Sequence, residues 1–208
     1  MGMETMVMRI NTALSGINPQ ARLPEGAVLP DFTTITQIDQ QGIDEKIPER
    51  DPFNYFLHSA LVCAGPDSQL CVVAPCDIPL EKCVGHFPKY PMVPLHVLGG
   101  AMALTSTVLV GHYMRESFPL SDDPFYPLAI EGRQVSWTGG SRVLVPPITT
   151  VVTAEFLGYD SAKNKASTRA IVWSPDRAVA LIDPLEFTVL PERFFAAMYK
   201  RSSRRVNQ

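Results

Sequence analysis

Within eleven residues, Val84-Gly85-His86-Phe87-Pro88-Lys89-Tyr90-Pro91-Met92-Val93-Pro94, this sequence places a histidine on a segment stiffened by three prolines at intervals of three. Imidazole titrates near neutral pH, so a histidine held in one place can take up a proton and return it. Proline fixes φ, and the repeat holds the segment extended. If a helix begins at the next residue, its first backbone N–H groups lack intrahelical partners and offer a site for a carbonyl oxygen. A general base beside such donors suits chemistry on a carbonyl compound. The plainer reading of the same pattern is a histidine that only packs.

The elements that would position this segment follow from the prolines. Nineteen of the 208 residues are proline, against an ordinary share of about 5%, so regular structure is expected in the gaps between them. Leu95–Phe118 is such a gap, with Pro94 before it and Pro119 after it, which predicts a helix. It is apolar on most faces, and such a helix is either buried or membrane-spanning. Its low-polarity part, Val97–Gly111, is bracketed by His96 and His112 and is shorter than the roughly 20 residues a bilayer requires, so a buried central helix is predicted.

Strands are predicted in the remaining gaps. Phe53–Ala64 and Gln69–Ala74 flank the turn signal Gly65-Pro66-Asp67 and read as a hairpin, although the first run could begin as a helical turn. A second hairpin is expected within Ile148–Ser174, around the polar turn Asp160–Lys165. Leu128–Val135, Ala178–Ile182 and Phe187–Val189 add further strands. No internal repeat of 20–50 residues is visible. The predicted class is α+β, an antiparallel sheet wrapped around one long helix. Residues 1–46 read as an extension laid over or swinging off the domain, residues 47–190 as the domain, and residues 191–208 as a basic tail.

Composition narrows the function classes. A chain 46% hydrophobic and 19% charged, with mean hydropathy +0.05, is expected to fold around a core. A formal net charge of −3 and a pI near 5.8 give no general attraction to nucleic acid or anionic membrane, and neither is expected as a partner. The run Lys200-Arg201-Ser202-Ser203-Arg204-Arg205 is basic, and reads as a solvated end or a docking tail. The four cysteines Cys63, Cys71, Cys76 and Cys83 form no CxxC pair, and the N-terminus lacks a basic leader with an apolar core. A cytoplasmic protein with reduced thiols is therefore expected.

Cys76, Cys83 and His86 match no standard zinc spacing, so no metal and no cofactor are expected. Trp137-Thr138-Gly139-Gly140 reads as a turn or bulge. No GxSxG elbow is present.

The segment from Gly85 to Leu104, GHFPKYPMVPLHVLGGAMAL, resembles the signature of the hot-dog-fold 3-hydroxyacyl-(acyl-carrier-protein) dehydratases, GHFPGxPxMPGVLxxEAMAQ. Gly85, His86, Phe87, Pro88, Pro91, Pro94, Ala101, Met102 and Ala103 fall in register without a gap. Ile47-Pro48-Glu49-Arg50-Asp51-Pro52-Phe53 is similar to that family's IPHRYPF segment, and Arg142-Val143-Leu144-Val145-Pro146-Pro147 stands in the place of its RFxRPVxPGD strand. The resemblance covers roughly residues 47–190. It implies a hot-dog fold, two subunits pairing to form acyl tunnels, and an acyl carrier protein or acyl-coenzyme A thioester as partner. It also implies roles for single residues. His86 matches the base that removes the proton beside the thioester, and Leu95 supplies the backbone N–H that polarises the thioester carbonyl. Phe87, Pro88, Pro94 and Leu104 match substrate-binding positions.

The catalytic acid of that family does not transfer. Its position falls on Gly100, which has no side chain, and Leu104 stands where the family has Gln. Acid–base assistance contributes about 10²–10⁴ in rate, so an unreplaced carboxylate would leave a very slow dehydratase. Three readings follow. In the first the protein is an enzyme in which another group substitutes. His96, four residues before Gly100 and on the same helical face, is the candidate, with a hydrogen bond to a subunit contact or to solvent as its plainer role. Glu116 lies sixteen residues beyond Gly100, about 24 Å along a helix, which is too far. In the second the chain is a degenerate subunit that pairs with a complete one, as homodimer or heterodimer, or binds an acyl carrier protein without turnover. Lys200, Arg201, Arg204 and Arg205 would suit such an acidic carrier. In the third the fold hosts another thioester reaction, hydrolysis or cyclisation, although hot-dog thioesterases also generally use a carboxylate.

Overall fold

A computed structural model describes residues 5–45, 57–66, 69–84, 89, 91–119, 125–137, 144–194 and 197. Seven strands form one sheet: β1 (Thr34–Ile38), β2 (Ala60–Ala64), β3 (Leu70–Ile78), β4 (Phe125–Trp137), β5 (Ile148–Asp160), β6 (Lys165–Trp173) and β7 (Ala178–Pro191). Their order is β1-β2-β3-β5-β6-β7-β4, and every neighbouring pair is antiparallel. Three helices described over their whole length accompany them, α1 (Met6–Ile17), α2 (Gln40–Asp44) and α3 (Leu95–Ser117).

The predicted central helix is α3, 23 residues or about 34 Å long, packed against β3, β4, β5 and β6. It has the length and hydropathy of a membrane span, and 67% of its most apolar window is buried in the protein. Its core side chains Val97, Leu98, Met102, Val108, Leu109 and Met114 meet Val72, Val152, Val172 and Phe187 of the sheet. Two buried threonines on this helix are satisfied locally: the hydroxyl of Thr105 donates to the carbonyl of Ala101 at 2.8 Å and that of Thr107 to Ala103 at 2.9 Å. Both predicted hairpins form, although the first strand of the first is only Ala60–Ala64 and the expected start at Phe53 lies outside the described residues. At the β5–β6 turn the Asp160 carboxylate accepts the N–H groups of Ala162 and Lys163 at 3.0 and 3.2 Å, and Asn164 takes the left-handed conformation at φ 52° that asparagine tolerates.

Three strands extend past the limits expected from proline. β3 continues through Pro75 to Ile78. Its pairing to β2 ends at Val73, while Pro75 still faces Val151 of β5, so the missing N–H lies where no ladder bond to β2 is required. β4 runs through Pro127 at the sheet edge, where proline is tolerated. The two pieces expected at 178–182 and 187–189 are one strand, β7, passing through Pro184.

Residues 5–45, expected as an extension, supply two helices and an edge strand. β1 pairs with β2 from Thr34↔Ala64 to Ile38↔Ala60. Ile10, Leu14, Leu23 and Phe32 are buried on the side of the sheet away from α3, against Leu61, Cys63, Val73, Val151 and Trp173. Polar groups pin this layer: the Arg9 guanidinium donates to the Phe32 carbonyl at 3.0 Å, Asn11 both donates to and accepts from the Leu23 backbone at 3.0 and 2.8 Å, and Asn18 donates to the Asp77 carboxylate at 3.1 Å. The rest of that face carries ion pairs. Arg169 bridges Glu155 and Asp183, and Glu186 bridges Arg133 and Lys165.

Candidate functional site

The segment expected to present the base is anchored at both ends. On one side a short 3-10 turn, Leu80–Lys82, delivers Cys83, whose N–H donates to the Leu80 carbonyl at 2.9 Å and whose side chain is buried in the core. On the other, Val93 is buried and its N–H donates to the Leu144 carbonyl at 2.9 Å. Gly85, His86, Phe87 and Pro88 lie outside the described residues, as do Ile47–Phe53, Arg142, Val143 and the basic run Lys200–Arg205. Leu144–Pro147, expected as part of a strand, forms a bend, and β5 begins at Ile148.

The helix start is the part of the site whose geometry is in hand. Pro94 is the N-cap of α3, in extended conformation and with no side-chain cap. Its carbonyl accepts the N–H groups of Val97 and Leu98 at 3.1 and 3.4 Å. The N–H of Leu95 precedes the first of these bonds, so it is available to an acceptor at the positive end of the helix. Pro94 is buried, whereas Leu95 and His96 are exposed. One turn on, Gly99 and Gly100 are half-buried, and a Cβ built on Gly99 would meet no atom within 4 Å. At Gly99 the outward side of the helix is therefore bare backbone. Leu104 lies instead in the apolar core, 7% exposed. The first turn of α3 carries no acidic residue, and its first carboxylate is Glu116.

The cysteines near this segment are not activated. Burial pushes the Cys76 thiol up to about 12, reinforced by the negative charge of Asp77, and raises Cys83, with Glu81 adding to the effect. Both therefore stay protonated near neutral pH. Among the described residues no three His, Cys, Asp or Glu side chains converge as metal ligands.

Sequence reasoning did not single out the exposed apolar side chains of β4. Ile130, Val135 and Trp137 are 48%, 51% and 38% exposed on a 13-residue edge strand that pairs only with β7 among the described residues. The available signal was apolar residues in a strand that topology leaves at the edge, and topology is not written in the local pattern.

No family model matches the sequence, and no curated protein matches it. Solved structures do resemble it. A chain of the dehydratase heterocomplex ApeI:P from Xenorhabdus doucetiae aligns with TM-score 0.55 at 14% identity, covering 76% of this chain and 96% of that one. A thioesterase superfamily member from Thermus thermophilus gives TM-score 0.48 at 13% identity over 66% of this chain and 93% of that one. The E. coli PaaI protein from the phenylacetic acid degradation operon gives 0.41 at 13% identity over 57% and 75%. Identity at this level speaks to the path of the backbone and not to site chemistry. With its antiparallel sheet wrapped around α3, the chain has a hot-dog fold.

Proposed function

We propose that this protein binds a 3-hydroxyacyl or enoyl thioester, presented by an acyl carrier protein or by coenzyme A, in the manner of the dehydratase-type hot-dog proteins. In this reading the Leu95 N–H receives the thioester carbonyl, and His86, ahead of the helix on its proline-stiffened segment, faces the α-carbon as base. The observation that carries it is the helix start: a proline N-cap with no side chain to satisfy the Leu95 N–H, followed one turn on by open space beside Gly99.

A second reading, that the chain is one half of a pair whose other half is catalytically complete, is favoured by two specific features. The acid position is Gly100, and α3 offers no carboxylate before Glu116. In addition, β4 lies at the edge of the sheet among the described residues with Ile130, Val135 and Trp137 exposed, the kind of surface that a partner strand covers. The partner is then a second copy or a related hot-dog subunit, and the basic tail from Lys200 to Arg205 suits docking of an acidic carrier protein.

The test offers the purified protein a 3-hydroxyacyl thioester, alone and with candidate partner subunits, and repeats the assay with His86→Ala and Gly100→Glu. Dehydration abolished by His86→Ala supports the enzyme. No turnover alone, with activity gained in Gly100→Glu or on adding a partner, supports the incomplete subunit. Failure to bind acyl thioesters overturns both.

A further inference from the structure

Two of the four cysteines stand directly opposite one another. Cys63 of β2 pairs with Cys71 of β3 in antiparallel register, and residues so paired share a face of the sheet with Cα atoms about 4.5–5.5 Å apart. That spacing falls within the roughly 4.4–6.8 Å that a disulfide spans. Both thiols are free and buried in the outer core that α1 and the chain up to Phe32 complete, whereas Cys76 and Cys83 lie in the core beneath α3.

The cover over this pair is lightly tied. Cys71 borders a crevice of about 20 Å³ lined by Val28, Leu29, Pro30, Thr153 and Ile171, which is room for about one water molecule. Val28 is 85% exposed, and residues 28–31 make no hydrogen bond to the sheet among the described residues. The nearest ties follow them: Arg9 donates to the Phe32 carbonyl at 3.0 Å, and the N–H of Thr33 donates to the Ala64 carbonyl at 2.9 Å. A segment held by so few bonds opens locally at less cost than the sheet beneath it.

We propose that Cys63 and Cys71 form a thiol–disulfide modification site for a low-molecular-weight disulfide such as oxidised glutathione, admitted when residues 28–31 lift. While the segment is closed nothing reacts. Burial pushes the Cys63 thiol up to about 12 and raises Cys71 well above the ordinary thiol value, and the crevice is too small for the reagent. Once it is open, the Cys71 thiolate attacks one sulfur of the reagent, forming a mixed disulfide and releasing one glutathione as thiolate. Cys63, whose ionisation the Arg9 guanidinium favours against the effect of burial, then attacks the Cys71 sulfur and expels the second glutathione. Two protein thiols are oxidised, one reagent disulfide is reduced to two thiols, and the two protons pass through solvent to the leaving thiolates. The new bond joins strands that are already paired, so the sheet keeps its register.

The test incubates reduced full-length protein with oxidised glutathione under native conditions, blocks the remaining thiols with N-ethylmaleimide in denaturant, and maps the products by mass spectrometry. A Cys63–Cys71 disulfide is expected, with Cys76 and Cys83 alkylated. Cys63→Ala should stop at the glutathione adduct of Cys71. Gly65→Ala, whose Cβ presses on the Asp31 backbone oxygen, should speed oxidation of the pair about fivefold or more without speeding reaction of Cys76. Leu29→Ala, which removes a side chain packed against the outer core, should act in the same direction. Reaction of all four cysteines at one rate, as global unfolding produces, overturns the proposal. So does a disulfide between any other cysteines, the absence of a Cys63–Cys71 bond, or an unchanged rate in both opening variants.

Discussion

Leu14→Ala tests whether the N-terminal layer is part of the folded unit. Leu14 is fully buried, with Ile10 one turn before it, against Leu61, Cys63, Val73 and Trp173 of the sheet. Truncation to alanine removes three carbons, which at about 0.8 kcal/mol each forfeits roughly 2.4 kcal/mol of transfer free energy. The neighbours on one side are strands paired on both edges and cannot collapse into the space, so a cavity term is added and a loss of about 3–4 kcal/mol is expected. For a chain of this size that corresponds to a fall of roughly 10 °C in Tm. An isolated helix of 12 residues is marginal in water, so α1 owes its existence to this contact. The assay is urea unfolding followed by both Trp fluorescence and far-ultraviolet circular dichroism, with exposed Met8→Ala as the control. A Leu14→Ala loss below about 0.5 kcal/mol, the range of ordinary surface substitutions, would refute the docking of α1.

Two further outcomes follow from close contacts and buried thiols. A Cβ on Gly65 would lie 2.5 Å from the backbone oxygen of Asp31, and a backbone oxygen cannot rotate aside; Gly65→Ala should therefore cost about 1–3 kcal/mol and raise the rate of proteolysis within residues 24–33, and wild-type stability and cleavage would contradict the packing. Burial holds the Cys63 and Cys76 thiols at about 12, against an ordinary 9.0. The folded chain thus keeps protons that the unfolded chain releases, so stability is full below about pH 9 and falls as pH rises toward 12, by about 1.4 kcal/mol per pH unit for each thiol. Cys76→Ala should reduce the slope of unfolding free energy against pH between 9.5 and 11 by about one proton, and an unchanged slope would show that Cys76 does not titrate in this way.

The helix and the hairpins were legible because their signals are local. Proline on either side of an apolar run delimits α3, and the polar turn Asp160–Lys165 between β-branched runs delimits β5 and β6. What escaped was set by the neighbours of a strand. Pro75, Pro127 and Pro184 interrupt the sequence but not the sheet, since a proline within a strand matters only when its N–H is needed by the strand beside it. Residues 5–45 escaped for a related reason. Their apolar residues are sparse, and Ile10, Leu14, Leu23 and Phe32 become a core only when set against the outer face of β2, β3 and β5. A face buried on both sides leaves near-continuous apolar runs, and Leu61-Val62-Cys63 and Cys71-Val72-Val73-Ala74 do read that way. Those strands were announcing a second covering layer.

The candidate site divides along the same line. Its frame is backbone: a proline N-cap and a Leu95 N–H without a partner among the described residues, both recoverable from residue types in order. Its chemistry depends on one side chain that Gly100 does not have. A substitute from α3 must project from the same stretch of helix, and within a turn of Gly100 the polar candidate is His96, which is exposed. An exposed imidazole delivers a proton to a substrate beside Gly99 and Gly100 only when something encloses that substrate. The enclosing body cannot be the chain's own sheet, which already lies on the opposite side of α3 against Val97, Leu98, Ala101 and Met102. Under the proposed function we expect the partner that covers β4 also to close the helix start. If it does, burial of His96 on association should accompany any gain of activity, and His96 should be shielded from modification by diethyl pyrocarbonate only in the assembled protein. Equal modification of His96 in the assembled and separated states would mean that the partner docks elsewhere.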